Sequence, residues 1–436
     1  VLESVFADED LAAVFSEARY VREMVAVEAA LSTVEARLGV IPAESGARIV
    51  AASATFRPDL DAIRARLAHD GVPVIELVRQ LREHVGGPAA DDVHFGATTQ
   101  DIMDTALVLQ MRAALAAVER TLDRVVDNLA AMARRYRASV MPGRTRSQQA
   151  VPIPFGLKVA GWLAPLLRHR KRLAEMRTRV LVVQLGGAAG TLEPLAARGV
   201  AVAEALAAQL DLAAPPMPWH TQRDALAEVA GWLSMMSGSL AKMAQDIILL
   251  AQTEIGEVRE SAEEGRGGSS TMPQKVNPVT SEQIVAAARI NAALLCAMHQ
   301  AMIQEHERAT SGWQIEWGTL PRMFELTASA LRKAEYLSTH LAVDEARMRH
   351  NVSAANGLML AEAISFALAT TMSRKAAKVL VTAACRTAQE ENRHLVDVLR
   401  GQTDAALEWD RLKDETAHFG SAQAFIDRVL ADARAG

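Results

Sequence analysis

The sequence predicts an all-α protein, and three observations carry that expectation. Apolar residues recur every three or four positions over stretches near 30 residues. Half of the 436 residues are hydrophobic yet only 4% are aromatic, with Ala, Leu, Val and Met supplying the apolar mass. No alternating, strand-like run stands out. The first observation describes apolar stripes on amphipathic helices. The second favours helices, whose interiors accept small and unbranched side chains at little entropic cost.

Residues 1–102 read as short helices broken by 41–46 (IPAESG), Pro58, 69–73 (HDGVP) and 86–92 (GGPAADD). From Met103 the stripe Leu107, Met111, Leu115, Val118, Leu122, Val125, Leu129 and Met132 predicts one long helix. Residues 141–154 (MPGRTRSQQAVPIP) are expected to be the loop that ends it, because three prolines do not sit inside a helix. A second long helix runs through Trp162 and Leu181 to the break at 184–190 (QLGGAAG), and 215–224 (PPMPWHTQRD) forms the next. Residues 226–255 are again periodic, through Val229, Leu233, Met236, Leu240, Met243, Ile247 and Leu250. Helices over 279–307 and 319–341 follow, and after Val343 the helices shorten. Three domains are therefore expected: an N-terminal helical domain (1–102), a central long-helix bundle (103–343) and a small C-terminal helical domain (344–436). Helices near 30 residues exceed the usual length. They suit an elongated bundle that buries its remaining apolar stripe against other subunits.

A net charge of −5 argues against nucleic acid or an anionic membrane as partner. Cys296 and Cys385, in apolar helical contexts, read as buried thiols rather than a disulfide or metal pair. Glu3, Asp8, Glu9 and Asp10 are unlike a secretory leader. The apolar stretch 284–303 is interrupted by Arg289, Asn291 and His299, unlike a membrane span. The expectation is a soluble cytoplasmic protein.

Polar clusters fall at the helix breaks. Residues 93–101 (VHFGATTQD) place His94, Thr98, Thr99, Gln100 and Asp101 just before a helix, where hydroxyls and free N–H groups suit an anion; a simple N-cap threonine is the plainer reading. Residues 143–149 (GRTRSQQ) carry Arg144, Arg146 and Gln148; 219–224 (WHTQRD) carry Gln222 and Arg223; 304–317 (QEHERATSGWQIEW) carry Arg308. Arginines are more often surface charges than ligands, but these share loops with other hydrogen-bonding residues. Residues 265–278 (GRGGSSTMPQKVNP) set two serines, Lys275 and Asn277 behind glycines, a pattern suited to a loop that approaches a carboxylate closely. A flexible connection is the plain alternative. Together the clusters suggest a site for a small polyanion. No H-x-x-x-H, C-x-x-C or acidic triplet suggests a metal, and no G-x-G-x-x-G follows a strand.

HFGATTQD, GRTRSQQ, WHTQRD and GSSTMPQKVNP, in this order, resemble the signature segments of the fumarase/aspartase superfamily, and the resemblance covers essentially the whole chain. It implies a three-domain helical fold with a long central bundle, a homotetramer whose active sites are each built from three subunits, a small polycarboxylate substrate and no cofactor. Within the superfamily, HFGATTQD, PWHTQRD, QLGGAAGTLEPL and QEHERATSGWQIEW look most like the bacterial branch of cycloisomerases that lactonise a carboxymuconate in aromatic breakdown. On this resemblance Ser269 matches the general base of a mobile loop. Lys275 and Asn277 match residues holding the carboxylate that carries charge in the aci-carboxylate intermediate. Thr98, Thr99 and Gln148 match further carboxylate contacts, and His94 matches a histidine lining the site; Lys275 and His94 are counted with Ser269 as catalytic. Arg144, Gln222, Arg223 and Arg308 are expected to contact substrate. Glu282 matches an acid that pairs with a catalytic histidine in many relatives. That histidine is replaced here, since the family's GRTH is GRTR with Arg146 in its place. A C–N lyase such as adenylosuccinate lyase, a sulfomuconate cycloisomerase and a catalytically silent helical scaffold stay open as alternatives.

Overall fold

The computed structural model describes residues 2–260, 267–268, 271–272 and 274–435. Helices α1 (Glu9–Val14), α2 (Glu17–Arg37), α3 (Ala43–Thr55), α4 (Leu60–Asp70) and α5 (Val74–Val85) come first, as the breaks in the sequence predict. The long helix α6 (Thr99–Arg135) leads into strands β1 (Val140–Thr145) and β2 (Gln148–Pro154), then α7 (Phe155–Val180) and α8 (Gly199–Gln209). Next are α9 (Asp224–Leu250), β3 (Val258–Arg259), α10 (Val279–Ala301), α11 (Ser311–His340) and β4 (Ala342–Val343). The chain closes with α12 (Glu345–Ser353), α13 (Ala361–Leu368), α14 (Arg374–Glu390), α15 (Leu395–Arg400), α16 (Trp409–Lys413) and α17 (Ala422–Ala435). Side-chain oxygens of Asp8, Ser16, Asp59, Asp344 and Ser373 cap the helices they precede. The start of α11 lies earlier than expected, because Trp313 and Glu316 are buried and extend its inner face towards Ser311.

The expected loop over 141–154 is instead an antiparallel hairpin, with β1 pairing β2 from Val140↔Pro154 to Thr145↔Gln148. Prolines forbid a helix here but not a two-stranded ribbon, where a proline without an N–H still fits an edge. Pro142 and Pro152 face each other across that ribbon. The sequence expectation of no strands therefore fails at this hairpin and at the short β3–β4 pair.

The chain divides into two compact units whose boundaries fall inside α6, α7, α9, α10 and α11. The first comprises Val1–Thr121, His169–Gly238 and Ala287–Ala330. Its core packs Met24, Ile49, Leu77, Leu81, Ile102 and Met103 together, and a second cluster sets Leu31 and Val34 of α2 against Val183 and Leu206. In it Asn291 of α10 is fully buried and donates to Thr327 Oγ1 at 2.9 Å and Ser237 Oγ at 3.2 Å. The second comprises Leu122–Arg168, Ser239–Ala286 and Leu331–Gly436, with Leu360, Ile364, Val381, Leu395 and Trp409 in its C-terminal core.

Among the described residues α10 is the one helix long and apolar enough to cross a membrane by length and composition; a third of its apolar window is buried within the chain. The expectation of two buried thiols is corrected: Cys296 is exposed beside Ala292 and Ala293 on the outward face of α10, and Cys385 of α14 is half-buried. An apolar helical context need not be an interior one when the helix presents an apolar side outwards.

Candidate active site

The first unit gathers the threonine, histidine and arginine clusters around the start of α6. Thr98 immediately precedes the helix, and its backbone N–H donates to Asp101 Oδ2 at 2.9 Å, so an acid three residues on closes the helix end. Asp101 does more than cap. Its Oδ2 also accepts from Gly187 N–H and its Oδ1 from Gly186 N–H, both at 2.9 Å, and Oδ1 lies 2.7 Å from His220 Nε2. The loop 184–190 is thereby tied to the helix start and to WHTQRD. Gly187 adopts φ +67°, and a Cβ there would meet the Gly96 carbonyl at 3.0 Å, so this close crossing favours glycine.

Thr98 Oγ1 accepts from Arg308 at 2.5 Å, and Arg308 Nε reaches Gln100 Oε1 at 3.4 Å. Thr98, Thr99 and Arg308 thus share one neighbourhood, half-buried, with a hydroxyl and a guanidinium in contact. His94 holds a left-handed backbone (φ 64°), and its Nδ1 lies 2.6 Å from Oε1 of Glu28, a fully buried acid of α2. Burial opposes protonation of His94, but the Glu28 carboxylate outweighs it and raises the imidazole's pKa. Gln222 is exposed, with its amide 3.4 Å from the Pro218 carbonyl.

Arg223 departs from the expectation of a substrate contact. Its side chain is 1% exposed and enclosed by two acids: Nε and Nη2 donate to Glu316, Nη1 and Nη2 to Asp104, at 2.5–3.0 Å. Trp219 lies against its guanidinium, 4.8 Å from ring centroid to carbon. Because its guanidinium lies between these acids, Arg223 joins α6 to α11 rather than facing a ligand.

The second unit carries the other half of the expected residues. Arg144 is also turned inwards, clasping the fully buried Glu257 through two hydrogen bonds of 2.6 and 2.8 Å, with Asn351 donating to the same acid at 2.8 Å. It anchors the hairpin and is not free for substrate. The hairpin tip is a two-residue turn, Arg146–Ser147, with φ 49° and 64°. Both residues are left-handed, as a type I′ turn requires, although neither is Gly, Asn or Asp. Arg146 and Gln148 stand exposed at that tip, and among the described residues no ion pair joins Arg146 to Glu282.

Lys275, Asn277 and Glu282 line one depression of about 750 Å³, together with Gln252, Arg259 and Glu260. Asn277 N–H donates to the Gly267 carbonyl at 2.8 Å, and Gly268 bridges Val276, so the two ends of the signature loop are drawn together. Glu260 secures the far side: its carboxylate accepts from the N–H groups of Thr280 and Ser281 and from the Ser281 hydroxyl at the start of α10. Ser269 lies outside the described residues.

Glu28, Glu257 and Glu260 were missed in the sequence because their partners lie 66, 113 and about 20 positions away. For Glu28 a signal existed: it interrupts the apolar stripe Met24, Val27, Leu31 and Val34 of α2. Among the described residues no group of three or more His, Cys, Asp and Glu could hold a metal ion.

A family described as "Lyase" matches residues 6–290, and one described as "Adenylosuccinate lyase C-terminus" matches residues 357–429. The chain is 46% identical over 440 residues to 3-carboxy-cis,cis-muconate cycloisomerase of Pseudomonas aeruginosa, covering 99% of this chain and 96% of that one. It is 39% identical to trans-aconitate decarboxylase 1 of Mycosarcoma maydis, over 98% of this chain and 88% of the other. The crystal structure of 3-carboxy-cis,cis-muconate lactonizing enzyme from Pseudomonas putida superposes with a TM-score of 0.94 at 41% identity, covering 100% of this chain and 99% of that one.

Proposed function

The chain belongs to the fumarase/aspartase superfamily, and on that premise we propose that it interconverts 3-carboxy-cis,cis-muconate and a carboxymuconolactone through an aci-carboxylate intermediate. The observation that carries this reading is Arg146 at the exposed hairpin tip. A relative that expels an amine benefits from a neutral-range acid, which histidine supplies. Opening a lactone expels a carboxylate, whose conjugate acid has a pKa of about 4 and which leaves unprotonated at neutral pH. Arginine lends no proton, but it clamps a carboxylate through two parallel hydrogen bonds.

In the lactonising direction a carboxylate oxygen of the muconate adds to a double bond of the same molecule. Ser269 then delivers a proton to the adjacent carbon. Lys275 and Asn277 stabilise the charge that builds on the neighbouring carboxyl group, while Thr98, Thr99, Gln148, Gln222 and Arg308 hold the remaining carboxylates. Arg146 pairs with Glu282 of another subunit and turns its free edge to substrate. The nucleophile is intramolecular, so the enzyme's task is to fix the reactive rotamer and offset repulsion among carboxylates. The functional form is a soluble cytoplasmic homotetramer with shared sites, built from the domains 1–102, 103–343 and 344–436 and serving aromatic degradation. Outward apolar side chains on the long helices, among them Met235, Leu249, Ile290 and Ile315, suit burial against neighbouring subunits.

An ultraviolet assay with 3-carboxy-cis,cis-muconate, adenylosuccinate, argininosuccinate and trans-aconitate tests the reading. Loss of the diene absorbance with the first substrate alone is expected; faster turnover of any of the others sinks the proposal. The loop geometry adds a second expectation. Gly267 has φ +70°, and a Cβ there would lie 2.6 Å from the Asn277 carbonyl oxygen. Gly267→Ala therefore costs about 1–3 kcal/mol in the closed loop. In steady-state assays that is about 5- to 150-fold in kcat/KM, and an unchanged kcat/KM would separate loop closure from turnover.

A further inference from the structure

One face of α2 carries Glu28, Ser32 and Glu35, three polar side chains that are 0%, 1% and 0% exposed. At spacings of four and three residues they follow one another along the helix. Among the described residues only Glu28 Oε1, of their side-chain oxygens, has a protein partner, His94 Nδ1. Glu28 Oε2, Ser32 Oγ and both oxygens of Glu35 have none. A mid-helix serine commonly returns its hydroxyl to the carbonyl four residues earlier; Ser32 does not, so its proton is uncommitted between the two acids.

Charge and donor counts decide how such a seam exists. With both acids ionised and His94 protonated, the buried seam carries a net negative charge and has Ser32 as its single free donor. Isolated buried charge of that kind is costly. With Glu35 protonated the net charge is zero, and a second donor serves the unpartnered oxygens. The surrounding ionisable groups add no relief for a second anion: Glu35 faces Glu28 and Asp92, while His94 faces Glu28, Asp101 and Arg82.

We propose that Glu35 is a positioning residue that stays protonated at neutral pH, leaving Glu28 as the one carboxylate of a buried, hydrated seam that holds His94 as an imidazolium. Burial first, and then the Glu28 and Asp92 carboxylates, push the Glu35 carboxyl up to about 9. The consequence for His94 at the reacting centre rests on the function proposed above: it serves as a cation or acid towards the bound polyanion, not as a neutral base.

Three substrate-free measurements on the full-length protein test the seam. Infrared spectra should show a protonated-carboxyl band at neutral pH that is lost in Glu35→Gln. By NMR, Glu28→Gln should lower the His94 titration midpoint by about 1–3 pH units, whereas Glu35→Gln, neutral for neutral, should leave it in place. Stability carries a definite sign. An acid whose folded pKa is raised from 4.5 to about 9 loses its contribution as pH rises across that window. The melting temperature of Glu35→Gln should therefore gain on wild type steadily between those pH values. Absence of the carboxyl band, parallel melting curves, or a His94 midpoint lowered as far by Glu35→Gln as by Glu28→Gln would each overturn the proposal. In turnover, the alkaline limb of kcat/KM should move down in Glu28→Gln. A limb that stays put while the His94 midpoint moves supports the seam and counts against His94's place in the reaction.

Discussion

Ser269→Ala is expected to lower kcat by about 10³-fold or more, near the upper range for removing a positioned proton donor, while leaving the assembly intact. Ser269 follows Gly267 and Gly268, whose backbones meet Asn277 and Val276, and the same stretch delivers Lys275 and Asn277 to one depression. In the proposed chemistry Ser269 becomes an alkoxide, and Lys275 is the cation that would lower the cost of that charge. Ser270→Ala should be milder, because its backbone N–H is unchanged. A Ser269→Ala enzyme that keeps a tenth of wild-type kcat removes Ser269 from the proton transfer. The same variant probes shared sites. Mixing it with inactive Gln148→Ala protein after reversible dissociation should restore part of the activity, because some sites then receive both intact residues. Verified mixed tetramers that stay inactive would argue for sites made within one chain.

Much of the helical architecture was legible because its cause is local. The stripe from Leu107 to Met132 lies within one helix of 37 residues, and glycine and proline clusters mark most of the breaks. What the sequence concealed was pairing at a distance. The hairpin is fixed by the partnership of Val140–Thr145 with Gln148–Pro154, and its prolines disguise it as a loop. For the site, residue type was legible but direction was not. Arg144 and Arg223 look like Arg146 and Arg308 in a motif, yet the first two face buried acids and the last two do not. The deciding acids, Glu257, Asp104 and Glu316, sit in other segments, where nothing local marks them as partners. Cys296 shows the same limit for burial: periodicity locates an apolar face without saying whether this chain or another covers it.

The second large effect is one of stability. Arg223→Met should destabilise the protein by about 3–5 kcal/mol, the usual cost of breaking a buried ion cluster from one side. Asp104 and Glu316 would remain with side chains 1% and 0% exposed and without their cation. Trp313 Nε1, which donates to Asp104 at 3.0 Å, cannot neutralise either. Even with Arg223 present, burial pushes the Glu316 carboxyl up to about 6, as one guanidinium serves two acids. Without it the Glu316 carboxyl is pushed further above its unfolded value, so the variant's stability is retained in acid and lost as pH rises. The deficit in urea midpoint should thus be largest at neutral and alkaline pH and shrink below about pH 5. Adding Asp104→Asn and Glu316→Gln should recover part of the loss, since neutral amides need no counter-charge. A pH-independent deficit under about 1 kcal/mol would show that the cluster does not hold α6 to α11. If such a variant nonetheless lost activity, Arg223 would return to the substrate-binding role its motif suggests.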